Sequence, residues 1–335
     1  MKILVTGSLG FIFSNFVRMW GGEKHSLSLV GLDKAVYDYN LNNAHSASNY
    51  TFYLADLGDS HILEKVFSLE KPDIVIGGAA ESFVDNSITD IMPFLHTNVI
   101  GTQNLVNACL KHGVKKYVHI STDEVYGQQL TRDCIPWNEA SRLAPRNPYA
   151  CSKAAADLIV MGAHETHGLQ YNITRSCNVF GARQKRENLI PHIIHGLLED
   201  KPIRIHGTGN NFRQYIWVND VCRAIMKVAL DGIPNRVYNI GDDNYYSNLE
   251  MVELIAKLMG KQPNVEFIQD RKAHDFGYKV EWSLLRSLGW KPLSWSGLNF
   301  ESKLGQTIEF YANKGASKEL PPPTEEELKQ LAEML

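Results

Sequence analysis

Short apolar runs rich in β-branched residues alternate with helical patterns along the first half of the chain. The runs "KILVTG", "SLSLVGLD", "YTFYLADL", "DIVIGGAA" and "KYVHISTDEVYG" are predicted strands. Their nearly continuous hydrophobicity indicates strands buried on both faces, as in a parallel sheet with helices on each side. Longer patterns predict helices over Asn98–His112 and Pro148–His167. This alternation is typical of an α/β fold with a doubly wound parallel (Rossmann) sheet.

The pattern is less regular in the second half, where short strands stand among helices. The predicted strands are "YNITRSCNVFG", "PIRIHG", "RVYNIG" and "EFIQ", and the predicted helices cover about Leu189–Glu199, Asp220–Leu230 and Leu249–Met259. We therefore divide the chain into a dinucleotide-binding domain, residues 1–180, and a smaller C-terminal α/β substrate domain, residues 181–335, with chain crossings between them. In the tail, Thr324 and Glu327 form a capping-box pattern, which predicts a short terminal helix.

Composition and charge exclude several classes of function. The 335-residue chain is 44% hydrophobic and 21% charged, with a formal net charge of −3. It therefore has the composition of a globular protein without the basic surface that binds nucleic acid. The longest apolar runs are too short to cross a bilayer, and no signal-peptide pattern precedes the first strand. Five cysteines without C-x-x-C spacing indicate reduced thiols in a cytoplasmic protein rather than disulfides or a metal site.

Two glycines, Gly7 and Gly10, follow the first strand in "TGSLGFIFSN" and open a helix. Glycine lets the backbone approach a pyrophosphate, and the helix N-terminus offers unpaired N–H groups. Asp33 ends the second strand, where a carboxylate binds the adenosine ribose and repels a 2′-phosphate. Asp56 ends the third run, where it would meet the adenine edge. Together these residues predict that the chain binds NAD.

Phe13 stands where a third glycine would complete the dinucleotide-binding turn. That glycine normally lets the helix pack closely on the sheet, and a phenyl ring needs more room. Gly77 and Gly78 lie together in the predicted neighbouring strand, so a large residue on the helix can be exchanged for small ones on the strand. The alternative is that Phe13 partly closes the cofactor site and weakens binding.

Two short motifs carry candidate catalytic residues. Tyr149 and Lys153 lie four residues apart in "YACSK" and therefore share one helix face. A lysine beside a tyrosine lowers the phenol pKa, which gives a base that takes a hydroxyl proton while a hydride leaves for nicotinamide. "STDEVYG" places Thr122, Asp123 and Glu124 at a carboxyl end of the sheet, where ligands bind. The two acids can divide an elimination, one taking a C–H proton and one protonating the departing hydroxyl.

At these residues the chain closely resembles the nucleotide-sugar 4,6-dehydratases of the dTDP-glucose 4,6-dehydratase type, which are extended short-chain dehydrogenases/reductases. The resemblance covers nearly the whole chain and includes "TGSLGFI", "AAESFVDNSI", "NVIGTQNLVNAC", "HISTDEVYG", "NPYACSKAAAD", "FRQYIWVNDVCRA" and "YNIGDDNYYSNLEMVE". The Thr-Asp-Glu sequence is the discriminating part, because related 4-epimerases lack the acid pair and related decarboxylases have a different pattern there.

The resemblance implies a reaction and a role for each matching residue. Tyr149 removes the O4 proton as the C4 hydride passes to NAD, and Thr122 holds O4. Glu124 takes the C5 proton, Asp123 protonates the leaving O6, and the hydride returns to C6, which gives a 4-keto-6-deoxyhexose and water. The implied cofactor contacts are Gly7, Gly10, Phe11, Ile12, Asp33, Asp56, Leu57, Ala79, Tyr149 and Lys153. The implied substrate contacts are Glu81, Ser82 and Thr122 at the hexose, and Asn178, Glu187, Leu189, Arg213, Asn248, Arg271 and His274 at the nucleotide diphosphate.

The chain departs from the family pattern at several positions. Phe13 replaces a glycine and Gly77 replaces a histidine, while Val179, Ala182 and Asn188 replace asparagine, proline and lysine. The last three lie near the nucleotide, so dTDP-glucose is the favoured substrate and a UDP-sugar is the alternative. Two other hypotheses remain, namely an epimerase or other nucleotide-sugar modifier, and a non-catalytic NAD-binding module. The family pairs the two long helices across a two-fold axis, which predicts a homodimer.

Overall fold

The computed structural model describes residues 1–22, 27–35, 43 and 47–313, which alternate between strands and helices. The strands are β1 (Lys2–Thr6), β2 (Ser28–Asp33), β3 (Tyr50–Leu54), β4 (Ile74–Gly77), β5 (Lys116–Thr122), β6 (Tyr171–Ser176), β7 (Asn178–Phe180), β8 (Ile203–His206), β9 (Phe212–Trp217), β10 (Arg236–Ile240), β11 (Tyr245–Ser247), β12 (Val265–Ile268) and β13 (Gly277–Tyr278). The α-helices are α1 (Phe11–Trp20), α2 (Ser60–Glu70), α3 (Val84–Thr89), α4 (Met92–Phe94), α5 (Gly101–Lys111), α6 (Pro148–His167), α7 (Leu189–Leu198), α8 (Val218–Asp231), α9 (Asn248–Met259), α10 (Ser283–Ser287) and α11 (Phe300–Ala312).

One parallel sheet contains seven of these strands, in the order β10-β6-β5-β4-β1-β2-β3. The prediction of a doubly wound α/β sheet is therefore confirmed. The strand order reverses between β1 and β4, and ligands bind beyond the carboxyl ends of the strands at such a point. The expectation of burial on both faces is wrong for β3, where Phe52 is 39% and Leu54 66% exposed. This strand forms the sheet edge and has a neighbour on one side alone.

Apolar side chains of the sheet enter two separate cores. Ile3 and Val5 of β1 belong to one cluster, which includes α1 and α8. Leu4, between them, belongs to the other cluster, which includes α2 and α5. Successive side chains of a strand point to opposite faces, so this division puts helices on both faces of the sheet. Because helices cover both faces, the ends of the strands are where a ligand can contact several strands at once.

Helix α6 has the bounds that the sequence predicts. At its start, the Asn147 side chain accepts the backbone N–H of Ala150 at 2.8 Å, and Pro148 occupies the first helical position. At its end, Gly168 takes a left-handed φ of 72°. These are the usual signals for the start and the stop of a helix.

The helix predicted over Asn98–His112 begins earlier than its pattern indicates. A π-helical segment, Leu95–Ile100, joins α4 to α5 without a break. A π-helix departs from the period of 3.6 residues on which sequence patterns depend, so its first turns gave no signal. Within it, the buried Asn98 side chain donates to the backbone oxygen of Glu81 and accepts from its N–H, both at 2.9 Å.

The second half adds two smaller sheets. One contains β7, β9, β11 and β13, and β8 pairs with β12 in the other. The run "YNITRSCNVFG" was predicted as one strand and is two, because β6 pairs with β5 and β10 in the large sheet whereas β7 pairs with β9 in a smaller one. β10 returns to the large sheet, as a chain crossing requires, and the division near residue 180 stays a prediction. The helix predicted from Thr324 lies outside the described residues.

All five cysteines are free. Within the described ranges, no helix combines the length and the apolar character needed to cross a membrane.

Candidate active site

A cleft lies at the carboxyl ends of β1, β2, β4 and β5, where the strand order reverses. All predicted catalytic and cofactor residues line it, namely Gly7, Gly10, Phe11, Ile12, Asp33, Asp56, Leu57, Ala79, Thr122, Asp123, Glu124, Tyr149 and Lys153. The predicted substrate residues Glu81, Ser82 and Asn178 line it as well. Further polar lining residues were not predicted, and they include Lys34, Thr97, Ser121, Arg183, Gln184 and Lys185. No sequence motif marks these residues, because they come together only when the chain folds.

The other predicted substrate residues lie outside the lining of this cleft. Glu187 is exposed before α7, Leu189 begins α7, Arg213 is on β9, Asn248 begins α9, and Arg271 and His274 follow β12. Arg213 and Arg271 still lower the pKa of Glu124 by their positive charge, so both act on the edge of the site. Burial, followed by the charge of Arg271, lowers the pKa of His274 to about 4, which leaves that ring neutral.

The turn after β1 is shaped for close approach of a ligand. Gly7 has a φ of 74°, and a Cβ built there would lie 2.9 Å from the backbone of Ala79. Gly10 precedes α1, where no side chain of the described residues caps the helix and no acidic residue lies in the first turn. The N–H groups of a first helical turn have no partner within the helix and attract a negatively charged group. The turn therefore fits the pyrophosphate of NAD.

Asp33, the last residue of β2, is buried against this turn. Its Oδ2 accepts the N–H of Leu9 at 3.0 Å, its Oδ1 accepts the N–H of Ala35 at 2.8 Å, and burial raises its pKa. Each carboxylate oxygen keeps a second lone pair for a ribose hydroxyl. Beside it, Lys34 forms a salt bridge with Glu81 at 2.8 Å. Glu81 is therefore already paired at the cleft, although it was predicted to line the hexose pocket.

Phe13 packs against Gly78 and not against Gly77. Phe13 is 2% exposed, and a Cβ built on Gly78 would collide with its ring. A Cβ on Gly77 would collide instead with the ring and hydroxyl of Tyr117. The predicted exchange of a large residue for a small one is therefore found at Gly78, and the part assigned to Gly77 is wrong. Neighbouring glycines of a strand face opposite sides of the sheet, which is why they receive different rings.

The acid pair lies in a short 3₁₀ helix, Asp123–Tyr126, which begins where β5 ends. The predicted strand "KYVHISTDEVYG" thus ends at Thr122, whose Oγ1 accepts the N–H of Glu124 at 3.3 Å. Burial, followed by the charge of Glu124, raises the pKa of Asp123 to about 8. Among the described residues, Oδ2 of Asp123 has no hydrogen-bond partner. Asp123 is therefore a protonated acid at neutral pH, with an oxygen available to a ligand.

Glu124 is in a different setting, although burial also raises its pKa. Nδ2 of Asn147 donates to its Oε2 at 2.9 Å, and Asn147 and Arg213 both lower the Glu124 pKa. Two neighbouring carboxyl groups whose surroundings differ in this way take opposite roles as acid and base. The negative charge of the pair therefore belongs on Glu124. Asn147, which the sequence analysis did not single out, supports this base directly.

The Tyr149–Lys153 pair differs from its predicted electrostatics. Burial raises the pKa of Tyr149, as does the charge of Glu124, while its hydrogen bond with Thr122 lowers it. Lys153 donates to the backbone oxygen of Ile120 at 2.6 Å, and burial lowers the Lys153 pKa to about 8. The predicted low pKa of Tyr149 is therefore not found in the protein alone, because the cost of burying a phenolate is larger than any opposing effect of Lys153.

The chain is similar to known proteins in sequence and in structure. Residues 3–241 match the model of the NAD dependent epimerase/dehydratase family. A low-salt glycan biosynthesis protein of Haloferax volcanii is 39% identical over 315 residues, covering 93% of this chain and 98% of the relative. The dTDP-glucose 4,6-dehydratase of Streptomyces niveus is 38% identical over 330 residues, covering 94% of each chain. The structure of a dTDP-glucose 4,6-dehydratase from Streptomyces venezuelae, with NAD and TYD bound, superposes with a TM-score of 0.85 and 34% identity, covering 96% of this chain and 100% of that one.

Proposed function

The chain belongs to the NAD dependent epimerase/dehydratase family, and on this basis we propose that it is an NAD-dependent nucleotide-sugar 4,6-dehydratase. The observation that carries this proposal is the buried acid pair beside Tyr149 in the cleft. An epimerase needs a base and a hydride acceptor, and it has no step that uses a second, protonated acid. A non-catalytic module would need neither the acid pair nor the Tyr149–Lys153 pair.

The residues of the first turn fit NAD as the resident cofactor. Gly7 and the N-terminus of α1 would hold the pyrophosphate, and Asp33 would hold the adenosine ribose. When bound, NAD supplies the acceptor that takes a hydride from C4 and returns it to C6. Phe13 does not prevent this, since its ring occupies the space at Gly78.

The chain's own residues would then move three protons. Tyr149 would accept the O4 proton as a phenolate, which the positive charges of Lys153 and of the bound nicotinamide would favour against the effect of burial, with Thr122 beside it to hold O4. Glu124, as the charged member of the acid pair, accepts the C5 proton, which the ketone at C4 has made acidic. Asp123, as the protonated member, gives its proton to O6, which leaves as water. C5 takes a proton back from Glu124 as the hydride enters C6, and the O4 proton passes from Tyr149 through solvent to Asp123, so that all three groups return to their starting states and the products are the 4-keto-6-deoxy sugar and water.

We propose dTDP-glucose as the substrate, since two of the similar proteins are dTDP-glucose 4,6-dehydratases. The nucleotide would lie toward Arg213 and Arg271, whose guanidinium groups suit a diphosphate. The free cysteines suit a reducing compartment, and we place the reaction in the cytoplasm.

Incubation with dTDP-glucose and, in parallel, UDP-glucose tests the function. We expect a 4-keto-6-deoxy product from dTDP-glucose at a rate at least tenfold above that from UDP-glucose, measured by the absorbance of the ketone in alkali and by mass loss of one water. A product of unchanged mass that is epimeric at C4 would establish an epimerase. Binding of NAD with no turnover of either sugar would establish a binding module.

The assembly we propose is a homodimer, formed by the helices α5 and α6 with the π-helical segment. These elements pack side by side and carry exposed apolar residues, with Leu95 37%, Ile100 50% and Leu158 59% exposed. Apolar side chains grouped on one surface mark an interface. We expect light scattering at micromolar concentration to give the mass of a dimer, and Leu158→Glu to give a monomer. Leu69→Glu, at a site on α2 that is 70% exposed, is the matched control and should leave the dimer intact.

A further inference from the structure

A chain of buried polar side chains connects α6 to β5 and β6. Asp157, one turn after Lys153 on α6, has no exposed surface, and its Oδ2 accepts Nε–H of Arg175 at 3.0 Å. Its Oδ1 lies 3.6 Å from Nε2 of His119, and the Tyr117 hydroxyl lies 3.1 Å from Nδ1 of the same ring. None of the proton transfers of the proposed reaction uses Asp157, so the burial of a carboxylate here must have another reason.

The departure of Gly77 from the family pattern belongs to this chain of contacts. Any Cβ at that position would collide with the Tyr117 ring and hydroxyl. With glycine there, the buried Tyr117 reaches Nδ1 of His119. A hydroxyl donated to Nδ1 leaves the ring proton on Nε2, which is the nitrogen that faces Asp157. Gly77 therefore helps to fix the surroundings of Asp157.

Arg175 fixes the other side of Asp157. It is 2% exposed, its Nη1 donates to the Tyr126 hydroxyl at 2.9 Å, and its guanidinium lies 4.8 Å from the centre of the Tyr126 ring. The Tyr126 hydroxyl donates in turn to Asn239 at 2.8 Å. Tyr126 belongs to the 3₁₀ helix that carries the acid pair, so Arg175 ties that helix to α6. Asp157 is consequently held on two sides by groups that are themselves fixed.

We propose that Asp157 is a positioning residue that acts through Lys153, its buried negative charge keeping the Lys153 amine protonated at the cleft. The inference rests on the proposed function, in which Lys153 acts beside Tyr149. Lys153 is 4% exposed and donates to the Ile120 carbonyl at 2.6 Å. A buried ammonium loses its proton unless a negative charge lies close to it. Asp157, four residues along the same helix face, supplies that charge.

The groups around Lys153 support this assignment. Burial lowers the Lys153 pKa and the charge of Asp157 opposes that effect. His119 supplies no charge, because burial and then the charges of Lys153 and Arg175 hold its pKa well below the usual value. Burial raises the pKa of Tyr149, on the same helix, so in the protein without cofactor Tyr149 adds no negative charge beside Lys153. Asp157 is therefore the carboxylate whose charge favours the protonated form of Lys153. The charges of Glu124 and Asp123, on the 3₁₀ helix, raise the Tyr149 pKa instead.

Replacing Asp157 by Asn removes the charge and keeps the shape, so it tests the proposal directly. We expect the Lys153 pKa to fall by about 1–2 units, measured by ¹³C NMR titration of the lysine Cε signals with Lys153→Arg used for assignment. Since the ammonium is the active form, the alkaline limb of NADH formation should move to lower pH by the same amount. The pH profile is recorded in a protein that also carries Asp123→Asn, so that ionisation of Asp123 does not add a second alkaline limb.

Asp220→Asn is the matched control. Asp220 also has no exposed surface and is paired with Lys303 at 2.7 Å and Arg223 at 3.1 Å, yet it lies outside the lining of the cleft. It should lower the melting temperature and leave the Lys153 titration unchanged. If Asp157→Asn fails to fold, the double variant Asp157→Asn/Arg175→Gln removes both charges of the pair, and a smaller fall of the Lys153 pKa is expected, because the repelling charge of Arg175 is removed with the attracting charge of Asp157.

An unchanged Lys153 titration in folded Asp157→Asn, or in the double variant, would overturn the proposal and leave Asp157 a structural residue. The NMR result does not depend on the substrate. A shifted titration together with absence of NADH formation from any nucleotide sugar would support the role of Asp157 and contradict the proposed function.

Discussion

Asp123→Asn should slow the elimination step by about a hundredfold or more, the usual contribution of a positioned general acid, while oxidation at C4 continues. The reason is that Asp123 is the protonated member of the acid pair, with its pKa raised to about 8 by burial and by Glu124. An amide cannot give a proton to the departing O6. Oxidation uses Tyr149 and Thr122 instead, so NADH should accumulate in a single turnover, and its near-ultraviolet absorbance measures both its formation and its decay.

The pH dependence of the decay adds a second readout. A group with a raised pKa holds its proton below that value and loses it above, so elimination in the unchanged protein should slow as pH rises through about 8. In Asp123→Asn the slow residual decay should lack this limb. Glu124→Gln is the control, since it should also trap NADH but keep the limb that belongs to Asp123. Loss of all NADH formation in Asp123→Asn would show that Asp123 does not act on the leaving hydroxyl.

Sequence patterns predicted the parts of the fold that local chemistry decides. The bounds of α6 follow from Asn147, Pro148 and Gly168, which cap and end a helix wherever they stand. The glycine turn and the acids after β5 came together because parallel strands end at the same edge of a sheet. Each of these signals lies within a few residues of the feature that it predicts.

The features that the sequence missed depend on distant parts of the chain. The break between β6 and β7 depends on the pairing of β7 with β9, a strand much further along the chain, and the early start of the helical segment depends on a π-helix, which lacks the usual apolar period. The raised pKa of Tyr149 follows from its burial, which a motif of five residues does not record. The contact between Gly77 and the Tyr117 side chain was missed for the same reason, since Tyr117 lies on the neighbouring strand β5.

Phe13→Gly should destabilise the protein by about 3–5 kcal/mol, the range for removing a buried aromatic ring when the cavity cannot collapse. A further cost of about 1 kcal/mol follows from glycine inside a helix. Phe13 is 2% exposed, lies 5.7 Å from the Phe16 ring between centroids, and fills the space over Gly78. Thermal and denaturant unfolding measure the loss. A stable variant that binds NAD more tightly would contradict this packing and show instead that the ring obstructs the cofactor.

Refilling the space from the strand separates packing from other effects of Phe13. Gly78→Leu alone should be destabilising, because its side chain would collide with the Phe13 ring. Combined with Phe13→Gly, the same leucine enters the space that the ring has left and should restore about 2 kcal/mol or more of the lost stability. Phe67→Ala is the control, since Phe67 is equally buried in the other core and its loss should add to that of Gly78→Leu. Equal behaviour of Phe13→Gly and Phe67→Ala in this test would show that Phe13 and Gly78 do not form a matched pair.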